Sequence, residues 1–209
     1  MSPLISIISP MVDEAGELRR YARMIARLTP APHETILIDG GSADGSGALA
    51  RSLGLRVIAS DRKGRAAQIN AGVAAASGDA ILVIHLDTEV PEDACAIVGA
   101  ALADPKTALA GFTPVIAGPL KTRWVSTFHN WIKTWYAPLL FRPIGFIRGL
   151  RLLFGDHAMF FRKADFNAVG GLDPEMMIME DADLCEKLAR GGRVRLIDRI
   201  VITCVRRLA

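Results

Sequence analysis

Thr35-Ile36-Leu37-Ile38-Asp39-Gly40-Gly41-Ser42-Ala43-Asp44-Gly45-Ser46 runs from a short apolar, β-branched stretch straight into residues that favour turns. Such a run predicts a buried strand, and the crowd of Asp, Gly and Ser predicts a loop at its carboxyl end. Helical spacing flanks it on both sides. Upstream, Leu18, Tyr21, Ala22, Ile25 and Leu28 recur at helical intervals over residues 14–28, with Pro30 closing the segment. Downstream, residues 47–53 suit a short helix.

Moving outward, the alternation repeats. Strands are expected at 4–8, 55–59, 80–85 and 108–112, with the first stopped by Ser9-Pro10. Helices are expected at 65–76 and at 92–103, the latter entered from Pro91, whose missing N–H suits a first turn. Strands separated by helices of this length imply parallel pairing and right-handed crossovers, hence an α/β fold with a doubly wound, mostly parallel sheet. Past Pro114 the pattern changes. Trp124, Phe128, Trp131, Trp135, Tyr136 and Phe141 predict a partly amphipathic helix, followed by a strand at 158–161, a helix at 163–169, the turn Gly170-Gly171, a helix at 180–190 and a strand at 194–197.

The chain has 209 residues, enough for one substantial core and too few for two, so a single domain over 1–209 is expected. A hydrophobic share of 51% with 22% charged residues excludes a disordered chain. No apolar run approaches the ~20 residues that cross a bilayer. Residues 1–8 lack the basic region and cleavage site of a signal peptide, so the expected location is cytoplasmic. The 3 cysteines, Cys95, Cys185 and Cys204, are odd in number and widely spaced, which argues against a disulfide framework or zinc site. The net charge is only +3, but no acidic residue lies between Asp104 and Asp156, where Lys106, Lys121, Arg123, Lys133, Arg142, Arg148 and Arg151 all fall. That asymmetry points to an anionic partner for this segment. Nucleic acid is not among the expected partners.

Ligands of open parallel sheets bind beyond the carboxyl ends of the strands. Pro10 to Glu14, Asp39, Asp61 to Arg65 and Asp87 all sit at such ends. Asp87 follows the apolar run of the fourth strand and suits a hard divalent cation, Mg²⁺ or Mn²⁺, that would neutralise a diphosphate; a helix-capping acid ahead of Pro91 is the alternative. Glu180-Asp181-Ala182-Asp183 opens a helix, where acids belong on dipole grounds alone, and where one of them could serve as a general base.

Taken in order, Ser9-Pro10 with Glu14, Asp39 to Ser46, Lys63-Gly64-Arg65-Ala66-Ala67-Gln68-Ile69-Asn70-Ala71-Gly72, Leu86-Asp87-Thr88, Gly170-Gly171-Leu172-Asp173 and Glu180-Asp181 resemble glycosyltransferase family 2, with its GT-A fold. The match covers nearly the whole chain. Gly155-Asp156-His157-Ala158 followed by Phe161-Arg162-Lys163 resembles a small bacterial branch, some members of which are named arsenosugar-biosynthesis glycosyltransferases.

The resemblance implies an inverting transferase that moves a sugar from a UDP- or GDP-sugar to an acceptor hydroxyl, with residues 1–112 binding the nucleotide and 113–209 the acceptor. By it, Pro10, Glu14 and Asp39 contact base and ribose, and Arg65 approaches the base or diphosphate. Asp87 matches the last acid of a DxD motif whose first acid is His85 here. Asp181 matches the catalytic base, with Glu180 beside it and Asp156 next in line for that role; Asp156 and His157 fall on the acceptor side. Arg206 and Arg207 are candidates for clamping the diphosphate. The acceptor is a lipid or a small molecule, and the basic aromatic segment 121–151 either rests on an anionic membrane surface or covers the sheet as a helix pair. Two other readings compete. A sugar-phosphate nucleotidyltransferase would carry a Gly-rich loop after the first strand, which Ser9-Pro10-Met11-Val12 lacks. A non-catalytic nucleotide-sugar binder or membrane-associated protein would fit the His85 departure, but not Asp181 in its motif.

Overall fold

A computed structural model describes residues 3–118, 122–176 and 178–204. Its first half follows the expected alternation: β1 (Ile5–Met11), α1 (Ala15–Arg27), β2 (Glu34–Asp39), α2 (Ser46–Ser52), β3 (Arg56–Ala59), α3 (Arg65–Ala75) and β4 (Ala80–Val83). These strands pair in parallel, in the order β3-β2-β1-β4. The remaining elements are β5 (Thr88–Glu89), α4 (Ala94–Ala103), β6 (Thr107–Ala117), α5 (Trp124–Phe141), α6 (Pro143–Ile147), a 3-10 turn at Gly155–His157, β7 (Phe160–Arg162), α7 (Lys163–Ala168), α8 (Glu180–Leu188) and β8 (Arg193–Cys204).

All strands join one eight-stranded sheet, β3-β2-β1-β4-β7-β6-β8-β5. It is more mixed than the alternation predicts. The short β7 enters antiparallel between β4 and β6, and β5 pairs antiparallel with β8. Apolar side chains cover both faces: Ile7, Leu18, Tyr21, Leu82, Val98 and Phe112 are buried on one, Ile8, Ile38, Ile69, Ile81, Phe161 and Leu184 on the other. Burial on both faces is what makes these strands read as continuous apolar runs.

The first strand does not stop at Ser9-Pro10 but continues to Met11. Ile84 donates to the carbonyl of Ile8, so even-numbered residues of β1 turn their polar groups toward β4. The β1–β4 register ends at Ile8↔Val83. Pro10 thus points its missing N–H to the side where the ladder has already finished, and the strand carries it without loss. Cys95 and Cys185 are buried and Cys204 partly so, all as free thiols.

Candidate active site

The loops after β1 and β2 are laced into one rim. Asp13, in the left-handed region at φ 53°, accepts from the backbone N–H groups of Ala43 (2.7 Å) and Asp44 (3.2 Å). In return the amide of Asp13 donates to Ser42 Oγ, that of Glu14 to Ser46 Oγ, and that of Ala15 to Asp44 Oδ2. Asp39 Oδ1 gathers the amides of Gly41 and Ser42 and the Ser42 hydroxyl. Its other oxygen lies so near Gly47 that a Cβ there would meet it at 2.8 Å. Beneath the rim, buried Gln68 donates to the carbonyls of Met11 (3.0 Å) and Ile38 (2.8 Å), tying the ends of β1 and β2 together from α3. Pro10 is buried within β1, while Glu14 and Asp39 are partly exposed at the rim.

Arg65 begins α3 and reaches across to the start of α8. Its Nε and Nη2 donate to Glu180 Oε1 and Asp181 Oδ2, at 2.6 and 2.8 Å. The sequence reading placed Arg65 at the nucleotide and the two acids apart from it; the structure brings all three together across 115 and 116 residues of chain. Both carboxylates are buried, far from the solvated first turn that dipole arguments alone allow. Burial pushes the Asp181 carboxyl up to about 6; Arg65 opposes that shift, while Glu180 and Asp156 add to it. Met179, just before this helix, has φ 66°, a backbone state non-glycine residues adopt at a cost of about 1 kcal/mol. A second such residue, Ala158 at φ 44°, follows His157. Met179 lines the cavity itself, and strained backbone of this kind clusters at functional sites.

That cavity, about 650 Å³, is bounded by Arg65, Asp181 and Met179 on one side and by Asn130, Lys133 and Asp156 on the other. Asp156 is held by Asn130 Nδ2 and by Nδ1 of fully buried His157 at 3.0 Å. Against the desolvation of burial, the hydrogen bond and charge of His157 and the charge of His85 hold Asp156 below the usual carboxylate range. Two carboxylates in one cavity are therefore driven apart in acidity. Gly155 fits between His85 and Arg65: a Cβ there would lie 2.6 Å from His85 Nε2 and 2.8 Å from Arg65 Nη1.

Asp87 stands partly buried at the end of the fourth strand, its carbonyl accepting from the amide of Cys204 (3.1 Å) and one carboxylate oxygen from the Thr88 hydroxyl (3.3 Å). Among the described residues no group of three His, Cys, Asp or Glu side chains could by itself hold a metal ion. The donor set suits an ion bound by one carboxylate and completed by phosphate oxygens and water, the usual Mg²⁺ mode, rather than an all-protein cage. Arg206 and Arg207 lie outside the described residues. Sequence reasoning quoted Gln68 and Gly155 without a role, included Asp13 only within the stretch Pro10 to Glu14, and missed Asn130, which nothing local signals.

The chain resembles known proteins over this whole region. It is similar in fold to a mannosyltransferase, PcManGT, from Pyrobaculum calidifontis in complex with GDP-Man and Mn²⁺, with a TM-score of 0.79 at 16% identity over 100% of this chain and 59% of that one. It is likewise similar to residues 1–349 of TarS from S. aureus in complex with UDP, with a TM-score of 0.70 at 14% identity over 96% and 60% of the two chains. A stretch of 99 residues is 33% identical to the glycosyltransferase GlyG of Streptococcus pneumoniae serotype 4 (strain ATCC BAA-334 / TIGR4), covering 44% of this chain and 33% of GlyG. The chain thus spans a third of that curated relative and about three-fifths of the two solved ones. The model of glycosyl transferase family 2 matches residues 6–170, and the chain belongs to that family.

Proposed function

We propose that this chain transfers a sugar from a GDP- or UDP-type nucleotide sugar to an acceptor hydroxyl by a single, inverting displacement. The observation that carries the reading is Asp181, a buried carboxylate on the cavity wall with one oxygen pinned by Arg65 and its acidity shifted to about 6. Such a group is ionised at neutral pH and far more basic than an ordinary carboxylate, as a general base requires. The acceptor oxygen forms its bond to the anomeric carbon while the bond from that carbon to the diphosphate oxygen breaks. The acceptor's proton passes to Asp181, and the nucleoside diphosphate departs from the opposite face.

Support for the donor comes from the rim. Pro10, Glu14 and Asp39 converge at the strand ends where the fold places ligands, and relatives of this fold bind GDP-Man and UDP. Asp87 is assigned to a Mg²⁺ or Mn²⁺ ion, whose chemistry when bound is to neutralise charge on the departing diphosphate. Glu180 fixes Arg65 and, through it, Asp181. Asp156, on the cavity wall, is assigned to the acceptor side; His157 is fully buried behind it and serves that side only by holding Asp156 in place. Arg206 and Arg207 are proposed to clamp the diphosphate on the family resemblance alone.

The test is incubation of the chain with GDP- and UDP-sugars and Mn²⁺, following release of nucleoside diphosphate and the anomeric configuration of the product by NMR. Release with inversion, lost in Asp181→Asn, supports the reading. A chain that binds the nucleotide but neither transfers nor hydrolyses any nucleotide sugar would be a binding protein instead.

A further inference from the structure

Helix α5 is built inside out. Much of what it turns toward the protein is polar: Thr127 Oγ1 accepts from the Ile116 amide, Asn130 donates to Asp156, and buried Thr134 meets His157 Nε2, with buried Pro138 and half-buried Trp135 among the apolar exceptions. Most of its large apolar side chains face outward. Trp124 is 70% exposed, and Val125, Phe128, Trp131, Leu139, Leu140 and Phe141 join it, continuing onto α6 through Ile144 and Ile147, the last 84% exposed. An ordinary surface helix has the opposite pattern. A contiguous apolar face of this size marks an interaction site rather than scattered surface residues.

We propose that the outer face of α5 and α6 docks on an anionic lipid bilayer, lying in its interface without crossing it. Charge selects this occupant. No acidic residue lies between Asp104 and Asp156, and the exposed guanidinium groups of Arg123, Arg142 and Arg148 flank the apolar face. Among the described residues Arg142 alone of these is ion-paired, with Glu186 at 3.0 Å. A second copy fits poorly, because a two-fold contact would set the same basic residues against one another. Trp and Tyr side chains suit the boundary between head groups and acyl chains, and Trp124, Trp131 and Tyr136 all contribute exposed surface. Among the described residues no helix is long and apolar enough to cross a membrane, so the geometry is that of an interfacial helix whose apolar side sinks about 5–10 Å. The same helix walls the cavity through Asn130 and Lys133, which brings the candidate active site beside the lipid surface.

The proposal stands independently of the transfer chemistry and is tested by sedimenting the full 209-residue chain with vesicles of phosphatidylcholine alone or mixed with phosphatidylglycerol, at low and high salt. Binding is expected to the mixed vesicles, with a blue shift of tryptophan emission, and to weaken with salt. The double substitution Leu140→Ser and Ile147→Ser, at positions 67% and 84% exposed, should leave the circular dichroism unchanged and lower the partition coefficient about tenfold or more. Arg123→Gln with Arg148→Gln should lower it about fivefold per charge removed. The proposal is overturned if the folded chain ignores anionic vesicles. It is equally overturned if light scattering shows a dimer that the serine pair converts to monomer, since the face would then belong to a second copy.

Discussion

Arg65 Nη2 stands 2.8 Å from Asp181 Oδ2, joining the first residue of α3 to the second residue of α8 beneath the cavity. One cation thereby serves two buried acids, since Glu180 Oε1 is 2.6 Å from the same guanidinium. The arrangement holds Asp181 in one orientation while leaving it a stronger base than an exposed carboxylate.

Replacing Asp181 by Asn should lower kcat by about 10² to 10⁴ while leaving nucleotide affinity nearly unchanged, because the amide keeps the size of the group but cannot take a proton. Glu180→Gln should cost less, as it removes only an orienting contact to Arg65. Steady-state rates on both variants, with calorimetric titration of the nucleotide, check the split. Equal small losses in the two would assign both residues to the fold.

Asp181 titrates at about 6 in the folded chain against 3.8 for an unperturbed aspartate. Between about pH 4 and 6 an unfolded chain has lost a proton that the native one still holds, so stability falls as pH rises through that window. The loss is complete above it, on the order of 3 kcal/mol. Urea unfolding of wild type and Asp181→Asn at both ends of the window should show the smaller change in the variant. Asp156, held below the carboxylate range, acts in the opposite sense at lower pH, which the comparison cancels. For the same reason kcat/KM should climb with pH through about 6 and then level off.

Adding a methyl at Gly155 tests the placement of Arg65. The atoms it would meet are the ends of the Arg65 and His85 side chains, and because Arg65 is paired with two buried acids its displacement should also lower the melting temperature of Gly155→Ala, by several degrees or more. Displacing Arg65 misplaces Asp181, and transfer should drop about tenfold or more. Full activity with unchanged melting would show that Arg65 has no hand in positioning the base.

Gln68→Leu leaves the Ile38 carbonyl without its side-chain donor and the Met11 carbonyl with only the Gly40 amide. The expected loss is about 1–3 kcal/mol in urea unfolding, with nucleotide affinity reduced because the rim is no longer anchored.

Nucleoside diphosphate should bind more weakly after EDTA treatment and in Asp87→Ala. Calorimetric affinities equal in all three conditions would remove the metal from the proposed mechanism while leaving the transfer itself open.

The alternation from β1 to β4 was legible because β1, β4 and the middle of β2 are buried on both faces and read as apolar runs, with the half-buried edge strand β3 following the same spacing. What escaped was set by partners remote in sequence. The outer part of β8, Ile200-Val201-Ile202-Thr203-Cys204, is itself apolar and β-branched, but Asp198 and Arg199 interrupt the run from Val194 to Ile197, and only its pairing with β6 to Ala117↔Cys204 joins the two pieces into one strand. The direction of β7 follows from the path of the chain through α5 and α6, which three residues cannot announce. In the site, the acids of α8 were readable as a motif, but their union with Arg65 was not. Nor was the use of Asn130, on a helix whose aromatic side chains dominate any periodicity analysis.

The order of the sheet also dictates a sequence of events in synthesis. Strands β1 to β4 find each other through local crossovers, so the nucleotide rim can take shape early. Thr88, one residue past Asp87, pairs with Thr203 across 115 residues of chain. Such distant closure is slow, and here it cannot begin until nearly all of the described polypeptide has emerged. Asp87, the residue proposed to hold a metal ion, is therefore locked in place late, and a nascent chain stalled before β8 would hold a formed rim beside an unfinished segment after β4.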